Sequence, residues 1–187
     1  MADVELSPDP AAVWPMSWEE YDAWAAQDDD SVRGEYLDGV FIVTPHPSVR
    51  HQTLSLRLAM ALHPQVSPPY LVIQDVGWTP PGERQEPGPD LSVFWRHDEG
   101  RRITRTPVLA VEILSRDRKY DIEYKRALYA RWALPTYWII DPRRGGTLRV
   151  HELRDGELVE TERHVDGTRS LSFGPFTVAL DLDALFA

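Results

Sequence analysis

The sequence predicts an α/β fold: a central mixed β-sheet flanked by helices, followed by a C-terminal antiparallel meander. Three observations predict it. The run Val108 to Leu114 is apolar except for Glu112, as a central strand buried on both faces should be. A helical stretch from about Tyr120 to Trp132 and a second apolar strand, Thr136 to Asp141, follow after short links. That strand–helix–strand order is the signature of a parallel crossover pair. Beyond Pro142 the segments Leu148–Leu153, Leu158–His164 and Phe176–Leu180 alternate polar and apolar residues, with Asp155-Gly156 as a turn.

Before this core, residues 1–16 are acidic and proline-rich and are expected to form a loose arm, leaving 17–187 as one domain. Ser17-Trp18-Glu19-Glu20 is a capping box opening a helix to about Gln27. Asp38-Gly39 between Gly34–Leu37 and Val40–Val43 is a strong hairpin signal. Pro47-Ser48 opens a second helix whose core stripe is Leu54, Leu58 and Leu62, and His63-Pro64 closes it. Tyr70–Ile73 reads as a buried strand, Thr79 to Gly88 as a loop, Asp90–Trp95 as a strand, and 96–106 as a polar, basic loop. Asp181 to Phe186 closes the chain as a last helical turn.

Composition excludes several classes. No apolar run approaches the ~20 residues that span a bilayer. The acidic start Met1-Ala2-Asp3-Val4-Glu5 is no signal peptide, so a cytoplasmic location is expected. With no cysteine there is neither disulfide nor thiolate metal site, and the six histidines lack zinc-ligand spacing. There is no phosphate-binding glycine loop and no nucleophile elbow. The net charge of −10 sits awkwardly with nucleic-acid binding, but its distribution softens the conflict. Between Arg96 and Arg131 ten Lys and Arg face six Asp and Glu, while the rest of the chain carries ten against twenty-four. The only two lysines, Lys119 and Lys125, both lie in that basic stretch. A lysine offers what arginine cannot, a compact ammonium on a flexible stem.

The chemistry-bearing residues are Asp90, Glu112 and Lys125. Asp90 stands where a proline loop becomes a strand, and it could equally serve as a carboxylate accepting backbone N–H groups. Glu112 interrupts a buried strand and therefore needs a cation, a metal or an arginine. Asp121, Lys125 and Tyr129 are spaced i, i+4 on one helix face, which also fits a surface Asp–Lys pair and a core tyrosine. Two carboxylates and a lysine brought together can hold Mg²⁺ and a water beside a phosphodiester, since Mg²⁺ needs only one or two carboxylates and keeps several waters.

The ordered run Gly34-Glu35, Asp38-Gly39, Pro45, His51, Pro89-Asp90-Leu91, Val111-Glu112-Ile113-Leu114-Ser115, Asp121, Lys125, Tyr129-Ala130 and Pro135 to Pro142 resembles the Uma-type family of the PD-(D/E)XK, restriction-endonuclease-like superfamily. The resemblance covers roughly residues 17–185. It implies a restriction-endonuclease-like core, with Asp90 as a metal ligand and Glu112 as the second, the backbone carbonyl of Ile113 beside it. Leu114 occupies the superfamily's usual lysine position, and Lys125 is the match for its substitute. Glu35 matches an earlier acidic position, and His51 a histidine expected to touch substrate. Arg116, Arg118 and Lys119 border the site as further substrate contacts, with Tyr129 packing or hydrogen-bonding the lysine. One departure concerns substrate choice and competence: Ser115-Arg116-Asp117-Arg118 stands where the family reads Ser-Pro-Ser-Thr, and the loop is one residue shorter.

The function expected is hydrolysis of DNA phosphodiester bonds by an endonuclease using Mg²⁺, with Mn²⁺ as a substitute, and a homodimer by resemblance. The alternatives are a non-catalytic nucleic-acid or protein-binding module on the same fold, and a structural Glu112–Lys125 bridge without metal.

Overall fold

The N-terminal segments build a small layer of their own in the computed structural model, which describes residues 13–27, 34–43, 46–96, 102–115 and 120–187. β1 (Val13–Pro15), β2 (Gly34–Leu37) and β3 (Val40–Val43) pair antiparallel in the order β1-β3-β2. Val13–Pro15, at the end of the stretch expected to be a loose arm, is thus a strand. Asp38 and Gly39 take positive φ, the conformation a tight two-residue hairpin turn requires. α1 (Trp18–Ala25) starts at the expected capping box, with Ser17 and Glu20 bonding each other's backbone N–H. It packs Tyr21 on Tyr36 and Phe41, and Trp18 and Trp24 join this cluster. β2 then alternates, with Tyr36 facing the aromatic cluster and Leu37 the main core.

Gly34 is where this small sheet is tightest. A Cβ there would meet the Ile42 carbonyl and come within 2.6 Å of the Phe41 ring. Gly34→Ala is expected to push β2 off β3 and to cost about 1–3 kcal/mol by overpacking, read as a lower denaturant midpoint.

The main sheet has six strands in the order β4 (Tyr70–Gln74), β5 (Leu91–Trp95), β6 (Leu109–Ile113), β7 (Thr136–Asp141), β8 (Thr147–Arg154) and β9 (Glu157–His164). Only the β6–β7 pair is parallel, Ala110 opposite Tyr137 and Glu112 opposite Ile139, as the crossover pattern predicts. One face, through Leu91, Val93, Leu109, Val111, Ile113 and Trp138, is covered by α2 (Val49–Leu62), by a hairpin and by the last helix. Ser48 caps α2, and Leu54, Leu58 and Leu62 are its buried stripe.

The other face, through Ala110, Tyr137 and Ile139, is covered by α3 (Arg126–Arg131) with Leu128 and Tyr129.

Three expectations are corrected. β4 is a half-buried edge strand, because only β5 flanks it. The expected helix 120–132 begins as a π-helix, Tyr120–Lys125, and becomes α-helical only at Arg126. The meander divides: β8 and β9 extend the main sheet, while β10 (Thr168–Phe173), unforeseen, pairs with β11 (Phe176–Asp181) as a separate hairpin. That hairpin buries Leu171, Phe173, Val178 and Leu180 beside α2, next to α4 (Leu182–Phe186), which Asp181 caps. No helix among the described residues is long and apolar enough to cross a membrane.

Candidate active site

The ends of β5 and β6 bring the predicted residues to one corner. Asp90 arrives on the proline-rich loop, and that loop is tied down along its length. Glu86 exchanges two backbone hydrogen bonds with Tyr36 (2.8 and 3.0 Å), Trp78 N–H donates to the Pro87 carbonyl (2.9 Å), and Gly88 N–H donates to Glu35 Oε1 (2.7 Å). Asp90 Oδ2 accepts the N–H of Ile113 at 2.7 Å and lies 3.1 Å from His51 Nε2. Asp90 therefore does accept a backbone donor, and that donor belongs to the residue after Glu112. Ile113 enters the site through its amide, clamping the two acidic positions of neighbouring strands together.

Glu112 finds its cation in a lysine rather than an arginine. It projects from β6 on the α3 face and is 3% exposed. Its Oε1 accepts Lys125 Nζ at 3.0 Å and the Tyr129 hydroxyl at 2.8 Å. Lys125, 4% exposed, also reaches Glu35 Oε1 at 2.8 Å. The π-helix ends on Lys125, inside the fold. The Tyr120 ring lies 5.6 Å from the ammonium and stacks on Tyr124 at 5.1 Å. The Tyr124 hydroxyl in turn donates to Asp38 Oδ2 at 2.5 Å, locking the β2–β3 turn to this helix.

Tyr129 is fully buried, and its hydroxyl orients Glu112. Burial first, then the Glu112 charge, holds its hydroxyl well above the ordinary phenol range and keeps it a proton donor to Glu112. His51 sits against Asp90. Arg116, Arg118 and Lys119 lie outside the described residues.

Sequence reasoning missed two supports. The Gly88 amide that fixes Glu35 carries no side-chain signal. Arg102, taken as part of a basic loop, turns inward: it pairs with Asp22 on α1 (2.5 Å) and with Glu86, and its guanidinium lies over Trp18 (5.3 Å) and Tyr21 (5.6 Å). It staples the small layer to the loop carrying Asp90.

Among the described residues no three His, Asp or Glu side chains form a ready-made metal cage. The donor set still suits a hard divalent ion. Asp90 and Glu112 are oxygen donors, and a carboxylate offers about four lone-pair sites, so one group can accept these hydrogen bonds and ligate an ion.

The geometry agrees with the comparisons. A crystal structure from Anabaena variabilis ATCC 29413, described as "a putative nuclease belonging to DUF820", superposes with a TM-score of 0.71 at 21% identity, over 92% of this chain and 98% of that one. The two proteins therefore share a fold. No functionally curated protein matches the chain. The model of the Uma2 family, described as "Putative restriction endonuclease", matches residues 18–183. The chain, with its restriction-endonuclease-like core, belongs to the Uma2 family.

Proposed function

We propose that the protein is a Mg²⁺-dependent endonuclease that hydrolyses phosphodiester bonds in DNA, with Mn²⁺ able to replace Mg²⁺. One observation carries the reading: Lys125 joins Glu35 and Glu112, and Asp90 accepts the amide of the residue after Glu112, where β5 begins and β6 ends. Asp90 and Glu112, with the Ile113 carbonyl, are the residues that would hold the ion. A bound divalent ion supplies Lewis-acid polarisation of the phosphoryl oxygen and a more acidic water.

The chain's own residues do the rest. The Ile113 amide and His51 hold Asp90 in place. Tyr129 and Lys125 fix Glu112 from the opposite side. Lys125 orients the attacking water or offsets charge gathering on the phosphoryl oxygens, and an ammonium with three donors can serve several acceptors. Glu35 anchors Lys125 there. Hydrolysis forms a bond from the water oxygen to phosphorus and breaks one P–O ester bond. The departing oxygen ends with one of the water's protons. The basic loop with Arg116, Arg118 and Lys119 is assigned to the DNA backbone.

The test is cutting of supercoiled plasmid across a titration of Mg²⁺ and Mn²⁺. Metal-dependent nicking that Asp90→Ala reduces a hundredfold or more is the expected result, in line with losing a group that stabilises charge in the transition state, worth about 10²–10³. A purified, folded protein that neither cuts nor changes melting temperature with either ion overturns the proposal.

One observation favours a second reading. Lys125 already joins two buried carboxylates, so the same cluster can act as a bridge inside a module that binds nucleic acid or protein without cutting. Retention of a labelled duplex without metal-dependent scission is its signature.

A further inference from the structure

The two carboxylates that hold Lys125 stand on different sheets. Glu35 is on β2 of the small sheet and Glu112 on β6 of the main one, and among the described residues the two sheets share no strand. Lys125 spans them on a flexible four-carbon stem, so the ammonium does not by itself fix the gap it bridges. A second set of bonds crosses the same gap farther out, and Asp38 is its centre. Asp38 Oδ2 accepts the hydroxyl of Tyr124, the residue before Lys125, at 2.5 Å. Asp38 Oδ1 accepts Gln85 Nε2 at 3.2 Å, and the Asp38 amide donates to Gln85 Oε1 at 2.8 Å. Asp38 itself closes the strand that carries Glu35. Gln85 lies on the loop that leads through Gly88, whose amide holds Glu35, to Asp90. One side chain thus joins the strand of Glu35, the loop of Asp90 and the helix of Lys125.

The turn alone does not call for this carboxylate. Asp38 sits at φ 49° ahead of Gly39, and Asn-Gly or Gly-Gly would form the same left-handed pair. Its partners do use it: both oxygens accept, as only an ionised carboxylate can. Burial first, then the hydrogen bond to Asp38, raises the Tyr124 hydroxyl above the ordinary phenol range and keeps it a donor. Tyr124 also stacks on Tyr120, the ring beside the Lys125 ammonium. We propose that Asp38 is a positioning residue. Through Tyr124 and Gln85 it sets the spacing of β2, the Asp90 loop and the π-helix, and so places the Lys125 ammonium between Glu35 and Glu112. It acts through Lys125 and not on the reacting atoms. Its value to catalysis rests on the function proposed above, whereas the place of the ammonium is measurable without any cutting.

Asp38→Gly removes the carboxylate and keeps a residue suited to the turn. Lys119 and Lys125 are the only lysines, so isotope-labelled lysine gives two ammonium signals by NMR, and Lys119→Arg assigns them. In Asp38→Gly the Lys125 signal is expected to shift and to exchange faster with water, with the urea midpoint little changed. Tyr124→Phe should act in the same direction, and the double variant should fall short of the sum of the two, because both substitutions break one hydrogen bond. Arg84→Ala, which removes an exposed pair with Glu19 beside Gln85, should leave the signal in place. In plasmid cutting, Asp38→Gly should lower the maximal rate by up to about 10²-fold, as a misplacement of about 1 Å can, at an unchanged Mg²⁺ midpoint. A Lys125 signal that Asp38→Gly leaves unmoved overturns the inference whether or not the protein cuts. So does a shift that Arg84→Ala reproduces, and so does a full cutting rate in Asp38→Gly. A wild-type protein that cuts nothing overturns the proposed function instead, and the lysine signals still decide whether Asp38 places the ammonium.

Discussion

Lys125→Ala is expected to be the most damaging single substitution in the chain, for two separable reasons. It removes the ammonium held between Glu35 and Glu112, and with it the proposed stabilisation of the phosphoryl charge, a loss of about 10²–10³ in cutting rate. It also strands two carboxylates in a buried corner. Removing one partner from a buried ion pair typically costs about 3–5 kcal/mol, because the charge left behind has lost both water and counter-ion. Urea unfolding reads the second effect and plasmid cutting the first. The two come apart in the triple variant Glu35→Gln, Glu112→Gln, Lys125→Met, which should recover much of the stability and none of the cutting, since neutral groups of similar shape remove the stranded charge. A Lys125→Ala protein as stable as the wild type would show that the three groups are not coupled in solution as they are here.

Acidification is expected to weaken the fold well before the carboxylates protonate, and the cause is His151. This residue lies on β8 opposite Tyr137, wholly buried on the α3 side of the sheet. Burial first, then the Arg149 guanidinium, lowers its pKa to about 4, with Arg126 acting in the same sense and Glu160 against. In the unfolded chain a histidine titrates near 6.5. The unfolded state therefore takes up a proton between pH 6.5 and 4 that the folded state refuses, and stability falls as pH falls through that window. The loss comes to about 2 kcal/mol by pH 5 and approaches about 3 kcal/mol near pH 4. Glu160 acts lower down: hydrogen bonds from Arg163 and Arg149 hold its carboxyl at about 2, so its contribution disappears only below the ordinary carboxylate range. Urea midpoints at pH 7.5 and pH 5 isolate the histidine. His151→Leu should flatten the difference between them, and an undiminished pH dependence in that variant would assign it elsewhere.

Local signals carried most of what the sequence revealed. The Ser17 capping box, the Asp38-Gly39 turn and the Leu54, Leu58, Leu62 stripe each state a short-range preference that tertiary packing left intact. Glu112 was legible for a different reason: a charge inside a run of buried aliphatic residues announces that something must compensate it. What compensates it was legible only as one alternative among several, the Glu112–Lys125 bridge. An i, i+4 pattern cannot separate an α-helix from the wider π-helix of Tyr120–Lys125, and choosing lysine over arginine as the partner depends on how α3 lies over β6. Strand β10 escaped because its first half, Thr168-Arg169-Ser170, alternates only polar residues, so apolar spacing begins only at Leu171 and Phe173. Arg102 escaped because nothing in a basic loop distinguishes the one guanidinium that turns toward Asp22 and Glu86.

The π-helical stretch ending at Lys125 also makes the proposed chemistry easy to lose. In an α-helix each residue advances the spiral by about 100°. A single lost codon between Tyr120 and Tyr124 would let the segment tighten into ordinary α-helix while α3 kept its hold on β6. Either the tyrosine pair or the ammonium must then swing out of phase with Asp38 and Glu35. The result would be a blunted relative, folded like its parent but without the proposed chemistry, reachable in one genetic step.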